Sequence, residues 1–490
     1  MQQAPDPMIG VLGAGISGVL MGMQLRRAGI EDFVIYDKQP DVGGTWLRNT
    51  YPGLHCDIPS LLYSYSFEHN PKWSTVYAGQ AEIQAYVRAC AQKYGLIDRL
   101  RMGTEVEAAR YDEDGAQWTV EFSQGPTRTH RMLVSATGGL SDARLPRIDG
   151  LKTFRGPWWH SADWRHDVDL AGLRVAVVGS AASAVQVVPE VAKTAAQVVV
   201  FSRTPNWVMP RNNRSYDEDE WSVMQTPQGL RQARRPLYRD ALRWYRAFRK
   251  EATGTAELRQ ICLANLTGSL DDPELVAALT PDYEPGCKRI LVSDEYYPAL
   301  GLDHVVLVTQ GVAALSEDAV VAADGSHHQV DVVIFCTGYR LGGRADGSPA
   351  LEVYGRAGRR LVDHLADKVE AYRGIALPGF PNYFTVCGIN GTVGYGSVTA
   401  SAELQTEAIA SLARRMSRGE FRSIEVRNDA TSRWSDAVQQ ELSQMSWSGR
   451  CPNFYRDAKG RIVSFFPGTV GRMRRELRAL DDADFVLEAP

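Results

Sequence analysis

The pattern that most constrains the fold is a strand, a glycine-rich turn and a helix, which occurs twice in the 490 residues. In the first copy the apolar run 8–12 leads into residues 13–18, which read Gly-Ala-Gly-Ile-Ser-Gly, and a second apolar run ends at Asp37. Such a turn brings a pyrophosphate close to the backbone at a helix N-terminus, and the acid accepts a hydrogen bond from a ribose hydroxyl. A tight strand-to-helix turn in another kind of α/β domain is the alternative. The predicted cofactor-binding residues here are Gly13, Gly15, Ser17, Gly18, Asp37 and Lys38.

The second copy begins 166 residues later (179 − 13), with the apolar run 173–178 and the turn 179–184. Its next strand-like run, 198–201, is followed by Arg203 and Thr204 instead of an acid. An arginine pairs with a 2′-phosphate that a carboxylate would repel, so this site is predicted to bind NADP. Ala181 adds a methyl group where the pyrophosphate should approach, so a degenerate half kept only for structure is the alternative. The predicted residues of this site are Gly179, Ser180, Ala181, Ala182, Ser183, Arg203 and Thr204.

Composition excludes several classes of function. Lys and Arg total 54 against 58 Asp and Glu, a net charge of −4, which disfavours a nucleic-acid binder and an electrostatic membrane docker. No apolar run is long enough to span a membrane, and residues 1–6 lack the features of a signal peptide. The seven cysteines are scattered and never spaced C-x-x-C, which predicts reduced thiols in a cytoplasmic protein and no metal or dithiol site.

Electrons passing between two dinucleotides therefore need an acceptor other than a dithiol, and molecular oxygen is favoured by elimination. Further segments then carry a family resemblance. They are Gly43-Gly44-Thr45-Trp46, Tyr51-Pro52-Gly53 with Asp57, the string F-x-G-x-x-x-H-x-x-x-W at Phe154, Gly156, His160 and Trp164, and Gly286-Cys287-Lys288-Arg289. From Gly10 to about Gly468 the chain resembles the type I Baeyer–Villiger monooxygenases. These enzymes use FAD, NADPH and O2 to convert ketones to esters or lactones through a C4a-peroxyflavin.

The resemblance implies roles for individual residues. Arg289 is expected to supply a permanent positive charge to the reacting anion, and Asp57 to orient it. Lys288 is expected to hold the 2′-phosphate with Arg203 and Thr204. His160 is expected to follow domain motion, with a structural histidine as the alternative, and Trp447 to close over the nicotinamide, with plain packing as the alternative. Further residues expected at the cofactors are Gly44, Thr45, Trp46, Asp57, Tyr63, Val106, Thr137 and Asn390.

The fold expected from these patterns is α/β, with two Rossmann-like domains for FAD and NADP and a helical insertion in the NADP domain. Strands followed by Thr-Gly at 137–138 and 337–338 support the two-site organisation. The polar, Arg-rich stretch 206–285 has helical spacing, and its arginines are expected on a solvated face. The predicted segments are an FAD domain at 1–145 and 341–490, an NADP domain at 146–205 and 286–340, and the insertion at 206–285.

Two alternative functions remain open. Arg165 stands where the family usually has Pro or Asp, which favours the sister flavin-containing monooxygenases that oxygenate nitrogen or sulfur. Ala181 is the reason for the second alternative, a protein that binds the cofactors without turnover, such as a redox sensor or an uncoupled oxidase. The expected substrates are a small uncharged ketone and O2, with no nucleic acid, membrane or obligate protein partner.

Overall fold

The computed structural model describes residues 6–70, 72–340 and 351–490. Its strands are β1 Ile9–Leu12, β2 Phe33–Asp37, β3 Leu100–Met102, β4 Val106–Asp112, β5 Gln117–Phe122, β6 Arg128–His130, β7 Met132–Ser135, β8 Trp158–His160, β9 Arg174–Val178, β10 Gln197–Phe201, β11 Val208–Met209, β12 Leu291–Val292, β13 Val305–Val308, β14 Val312–Leu315, β15 Ala319–Ala322, β16 His327–Gln329, β17 Val332–Phe335, β18 Glu352–Tyr354, β19 Tyr383–Thr385, β20 Thr392–Val393, β21 Ser423–Val426, β22 Phe465–Phe466 and β23 Phe485–Glu488. Its helices are α1 Ile16–Arg27, α2 Thr45–Arg48, α3 Gln80–Lys93, α4 Ala184–Ala192, α5 Glu218–Met224, α6 Pro227–Phe248, α7 Ala252–Thr267, α8 Pro273–Leu279, α9 Tyr296–Leu300, α10 Leu361–Asp367, α11 Val398–Ser417, α12 Asn428–Leu442 and α13 Val470–Arg478.

The first parallel sheet has the strand order β19-β7-β1-β2-β3. Strand β1 is buried along its whole length, as expected of a parallel strand covered on both faces. Strand β19 comes from the C-terminal part of the chain, and α11 packs against α1. The two ends of the sequence therefore build one domain, because the chain returns to a sheet that its first 135 residues began.

The second parallel sheet has the order β13-β10-β9-β17-β8. From β9 the chain moves outward through β10 to β13 and then returns to the other side of β9 with β17. Strand β1 of the first sheet has the same position between β2 and β7. In open parallel sheets ligands bind at the carboxyl end of the strand where the order reverses, so both glycine-rich turns lie at such a point. The predicted fold class is confirmed.

Helices α5 to α8 lie between β11 and β12 in the chain. These two strands pair in parallel and so bring the two ends of the insertion together. Helix α6 is amphipathic: Leu230 and Ala241 are buried, whereas Arg231 and Arg235 are exposed, as expected of a solvated face. Arg234 is the exception, since it is buried and donates to His69. The segment boundaries predicted from the sequence stay predictions. No helix in the described ranges is both long and apolar enough to cross a membrane.

The expectation of seven reduced thiols was wrong. Cys287 and Cys451, 164 residues apart, form a disulfide, while Cys56, Cys90, Cys262, Cys336 and Cys387 are free. A spacing pattern reveals only cysteines that lie close together along the chain. This pair is made by tertiary structure, because the loop before β12 packs against the loop after α12 and brings the two Cα atoms to 6.2 Å.

Gly18 allows the first turn of α1 to pack onto the turn before it. A Cβ atom at Gly18 would lie 1.7 Å from the carbonyl oxygen of Gly13. We expect Gly18→Ala to lower the free energy of unfolding by about 3 kcal/mol, the upper part of the usual range for overpacking, and to reduce FAD content after purification. Thermal melting and the ratio of flavin to protein absorbance measure both effects. Gly471→Ala in α13 is the matched control, because a Cβ there meets its nearest atom at 3.8 Å. Equal melting and flavin content in the two variants would contradict this account.

Candidate active site

The first glycine-rich turn leads into a helix N-terminus that no side chain caps. Gly13 has φ +102°, and a Cβ there would lie 2.6 Å from the carbonyl oxygen of Ala136. Gly15 caps α1 without a side-chain hydrogen bond to the first-turn N–H groups. The backbone of Gly44 touches this turn, since a Cβ at Gly44 would lie 2.8 Å from Cα of Gly15. The arrangement suits a pyrophosphate, whose oxygens accept from uncapped N–H groups at a helix N-terminus.

Asp37 lies at the end of β2, beside this turn. Its carboxylate accepts from the amide of Ala14 at 2.6 Å and from that of Gln39 at 2.8 Å. These bonds hold the carboxylate in place and leave acceptor capacity for a ribose hydroxyl. Lys38 instead forms an exposed ion pair with Asp142, at 3.6 Å, so its side chain has a protein partner.

The remaining residues predicted at the flavin are spread around the first sheet. Trp46 donates its indole N–H to the hydroxyl of Tyr63 at 3.0 Å. Thr137 is exposed just beyond β7, and Val106 begins β4. Asn390 is buried, donates to the carbonyls of residues 462 and 465, and has a side-chain oxygen with no hydrogen-bond partner. That buried acceptor is the kind of group that a bound ligand satisfies.

The second turn repeats this geometry at the end of β9. Gly179 has φ +126°, and a Cβ there would lie 2.4 Å from the carbonyl oxygen of Cys336. Ser183 precedes α4 without capping it, and Ala181 and Ala182 are exposed. The hydroxyl of Ser180 donates to the carbonyl of Thr204 at 3.1 Å, which ties the turn to the end of the next strand. The side chain of Ala181, which replaces one of the usual glycines, is therefore exposed, whereas Ala184, which replaces another, is buried.

Two cations gather beside this second turn. The pKa of Lys288 is lowered by burial first and by the nearby charge of Arg203 second. Its ammonium lies 4.8 Å from the ring centre of Tyr283. Within the described part of the chain, neither cation forms an ion pair with a carboxylate. Asp282 offsets part of this repulsion without forming an ion pair with Lys288. Two neighbouring cations that lack an ion-paired carboxylate form a site that a phosphate would stabilise.

Arg289 and Asp57 form an ion pair that links the segment after the first glycine-rich turn to the segment after the second. Nε of Arg289 donates to Oδ2 of Asp57 at 2.8 Å, and Nη2 donates to the same oxygen. The charge of Asp57, opposed by burial, raises the pKa of Arg289 above its ordinary value. The arginine side chain is 45% exposed, so the pair borders an open cleft and is not sealed in the core. The guanidinium is thus permanently charged, held at a fixed angle and able to use Nη1 toward a ligand.

Tyr455 is a neighbour of this pair that the sequence reasoning missed. Burial raises the pKa of the Tyr455 phenol. The positive charge of Arg289 lowers this pKa in part, and the negative charge of Asp57 raises it. The ring lies 4.5 Å from Phe465 between ring centres, and the side chain is 2% exposed. No local pattern marks Tyr455, because it is 166 residues from Arg289 (455 − 289) and reaches it only through the fold.

The string F-x-G-x-x-x-H-x-x-x-W leads into β8 at the edge of the second sheet. A Cβ at Gly156 would lie 2.1 Å from the carbonyl oxygen of Asp331, so the backbone at Gly156 packs directly against the residue that precedes β17. Phe154 is buried in the core above this sheet, and Trp164 packs edge-on to Trp159. The ring nitrogen Nδ1 of His160 accepts from the amide of Ala162 at 3.1 Å.

The other ring nitrogen of His160, Nε2, is buried without a partner, and burial lowers the pKa of the imidazole. Its ring lies 5.6 Å from that of Tyr339, which in turn donates to Asn49 of the first domain. The histidine therefore sits where the two domains meet. Its role in domain motion stays a prediction.

Trp447 lies in an aromatic cluster and not at a cleft surface. It is 2% exposed, with its ring 4.6 Å from Phe465 and 5.7 Å from Phe248 between centres. A Cβ at Gly394 would lie 2.1 Å from the indole, so only glycine allows this packing. The arrangement in this structure corresponds to the packing alternative, and closure over a nicotinamide stays a prediction.

Comparison with known proteins agrees with these sites. Residues 7–343 match the flavin-binding monooxygenase-like family. A protein of Streptomyces coelicolor named Baeyer-Villiger monooxygenase is 39% identical over 490 residues, covering 98% of this chain and 93% of that protein.

Solved structures give the same result. Cyclohexanone monooxygenase from Rhodococcus sp. Phi1 bound to NADP+ superposes with a TM-score of 0.88 at 26% identity, covering 99% of this chain and 100% of that one. OTEMO in complex with FAD and NADP superposes with a TM-score of 0.85 at 26% identity, with the same coverage. The resemblance predicted from the motifs is confirmed, and the chain belongs to the flavin-binding monooxygenase-like family and, within it, to the Baeyer–Villiger monooxygenases.

Proposed function

We propose that this protein is an FAD-containing monooxygenase that uses NADPH and O2 to insert one oxygen atom beside the carbonyl of a small uncharged ketone. The observation that supports the proposal is the Arg289–Asp57 ion pair, which links the segment after the first glycine-rich turn to the segment after the second. The residues present fit both cofactors: two uncapped helix N-termini suit the pyrophosphates, and the paired cations Lys288 and Arg203 suit a 2′-phosphate.

FAD held at the first turn would supply the redox chemistry between NADPH and O2. The protein's own contribution is electrostatic. Arg289 offers a fixed positive charge to oxygen atoms that carry negative charge as the ketone is attacked. Asp57 fixes the direction of the guanidinium, and its charge favours the protonated state at every physiological pH. Tyr455 is buried close enough to the pair for both charges to shift its pKa, so its phenol adds a further polar group beside the guanidinium.

Asp57→Asn tests the positioning role. We expect ester formation to fall about 10- to 100-fold, because a charge-assisted hydrogen bond contributes roughly 1.5–3 kcal/mol and each 1.4 kcal/mol is tenfold. Stopped-flow reduction by NADPH should change little, whereas the ester formed per NADPH consumed should drop. Asp167→Asn is the matched control, since it breaks the exposed pair of Arg165 and Asp167 away from the cleft. A D57N enzyme with unchanged ester yield would show that Arg289 needs no orienting partner.

The overall activity is tested with purified holoenzyme, NADPH and 18O2 on a panel of linear, cyclic, aryl and steroid ketones. One 18O atom per ester or lactone is the expected result. Oxygenated amines or sulfides with every ketone untouched would overturn the proposal. Arg165, which suggested that alternative, forms an exposed ion pair with Asp167. Cytoplasmic location and independence of nucleic acid or an obligate protein partner stay predictions.

A further inference from the structure

The disulfide joins two loops that carry residues of the candidate active site. Cys287 lies next to Lys288 and two residues before Arg289. Cys451 lies midway between Trp447 and Tyr455, on the segment after α12. The bond therefore connects the loop that leads into β12 to a segment of the C-terminal part, which also contributes to the first domain.

We propose that Cys287 and Cys451 form a reversible thiol–disulfide site that controls how firmly Lys288 and Arg289 are held. The idea rests on the proposed function only in its effect on ester yield. A cross-link between two parts of a fold restricts their relative motion, and opening it restores that freedom. With the bond closed, the phosphate cation and the catalytic arginine are fixed relative to Tyr455. With the bond open, the Arg289–Asp57 pair remains, but the loop that carries Lys288 and Arg289 is tied to the C-terminal segment by weaker contacts.

Hydrogen bonds from Asn453 and Lys250 provide these weaker contacts. The side-chain amide of Asn453 donates to the carbonyl of Cys287 at 3.1 Å and to that of Trp447 at 3.3 Å. The Lys250 ammonium donates to the hydroxyl of Ser448 at 3.1 Å, from the end of α6. Reduction therefore loosens the two loops without separating them. We expect a partial loss of NADP+ affinity and of ester formed per NADPH consumed. We do not expect the protein to unfold.

A route to the buried sulfurs favours small reactants. Cys287 is 1% exposed and Cys451 8%, too little for docking of a protein reductase. A cavity of about 710 Å³ lies alongside, lined in part by Pro285, Ser446 and Gly449. A Cβ at Gly449 would lie 2.7 Å from Sγ of Cys287, so this glycine backbone is the wall between cavity and disulfide. A low-molecular-weight thiol or peroxide that enters the cavity is therefore separated from Sγ of Cys287 by Gly449 alone.

The chemistry balances with these reactants. A small thiolate attacks one sulfur of the disulfide, which forms a mixed disulfide and releases the other cysteine as a thiol. A second small thiolate then attacks the small-molecule sulfur of the mixed disulfide. The products are two cysteine thiols and one disulfide of the small thiol. In the other direction, one hydrogen peroxide oxidises the two cysteine thiols to the disulfide and leaves as two water molecules. An oxygen-activating flavin site that releases hydrogen peroxide when substrate is absent would close its own bond.

The test begins with thiol counting on denatured holoenzyme. Peroxide-treated protein should show five reactive thiols and glutathione-treated protein seven. Ester formed per NADPH and the Kd for NADP+ are then followed across glutathione buffers of increasing reducing strength. We expect the reduced enzyme to form about five-fold less ester per NADPH and to bind NADP+ about five-fold more weakly, with both changes tracking the thiol count. Flavin content should stay constant.

Variants separate the site from general effects of oxidation. Cys451→Ser should match the reduced enzyme in every buffer and no longer respond to glutathione. Cys90→Ser, a buried thiol in α3, should respond as the unaltered enzyme does. Seven reactive thiols after peroxide treatment would refute the site. A disulfide that opens and closes with no change in NADP+ affinity would refute its control of the loops, and opening by thioredoxin but not glutathione would refute access through the cavity. Since NADP+ binding needs no ketone, these results are decisive even if ester formation is never seen.

Discussion

Arg289→Ala should lower ester formation about 10²- to 10³-fold, the usual loss when a preorganised electrostatic donor is removed. The reason is specific to its position. Arg289 is the cation that Asp57 orients toward the cleft, and its pKa is raised so far that it never loses its charge. Rapid-kinetic reduction by NADPH should persist, because the two nucleotide turns remain. Electrons should instead leave as hydrogen peroxide, measured by a peroxidase-coupled assay.

Arg289→Lys is the matched variant for this prediction. Lysine keeps the positive charge but loses the planar fork whose Nε and Nη2 hold Asp57. We expect an activity between those of the alanine variant and the unaltered enzyme. If the alanine variant formed ester at the normal rate while being reduced normally, the catalytic assignment of this arginine would be wrong.

Removing either cation beside the second turn should raise KM for NADPH about 10- to 100-fold, since a hydrogen bond to a charged group contributes roughly 1.5–3 kcal/mol and each 1.4 kcal/mol is tenfold. Lys288→Ala and Arg203→Ala should barely change KM for NADH, which has no 2′-phosphate. Steady-state oxidation of the two coenzymes at one fixed ionic strength measures the effect. Burial and the charge of Arg203 lower the pKa of Lys288, and a bound phosphate would counter the repulsion between the two cations.

Arg155→Ala is the control for these two variants, because Arg155 is an exposed arginine engaged by Glu317 on the protein surface. Its coenzyme preference should match that of the unaltered enzyme. An equal loss with NADPH and NADH in the Lys288 and Arg203 variants would mean that the cations support the fold or the pyrophosphate, and not the 2′-phosphate.

The glycine-rich turns, their spacing and the family string were readable in the sequence because each depends on neighbours in the chain. A positive φ at Gly13 or Gly179 is a local backbone requirement, and a strand followed by such a turn has few other uses. The position of Arg203 just after β10 was also predictable, because it depends only on the apolar run that precedes it. Local spacing also placed the arginines of α6 on a solvated face, apart from Arg234, whose partner His69 comes from a distant segment.

Contacts between distant segments needed the tertiary structure. Arg289 and Asp57 are 232 residues apart, and only the docking of one domain on the other brings Nε within 2.8 Å of the carboxylate. Tyr455 joins that pair and Trp447 packs beneath Gly394 for the same reason. The cysteines show the limit most clearly. The sequence by itself determined two nucleotide-binding halves, because their signals are local; only the tertiary structure decided that Cys287 meets Cys451, because a disulfide depends on distance in space and not along the chain.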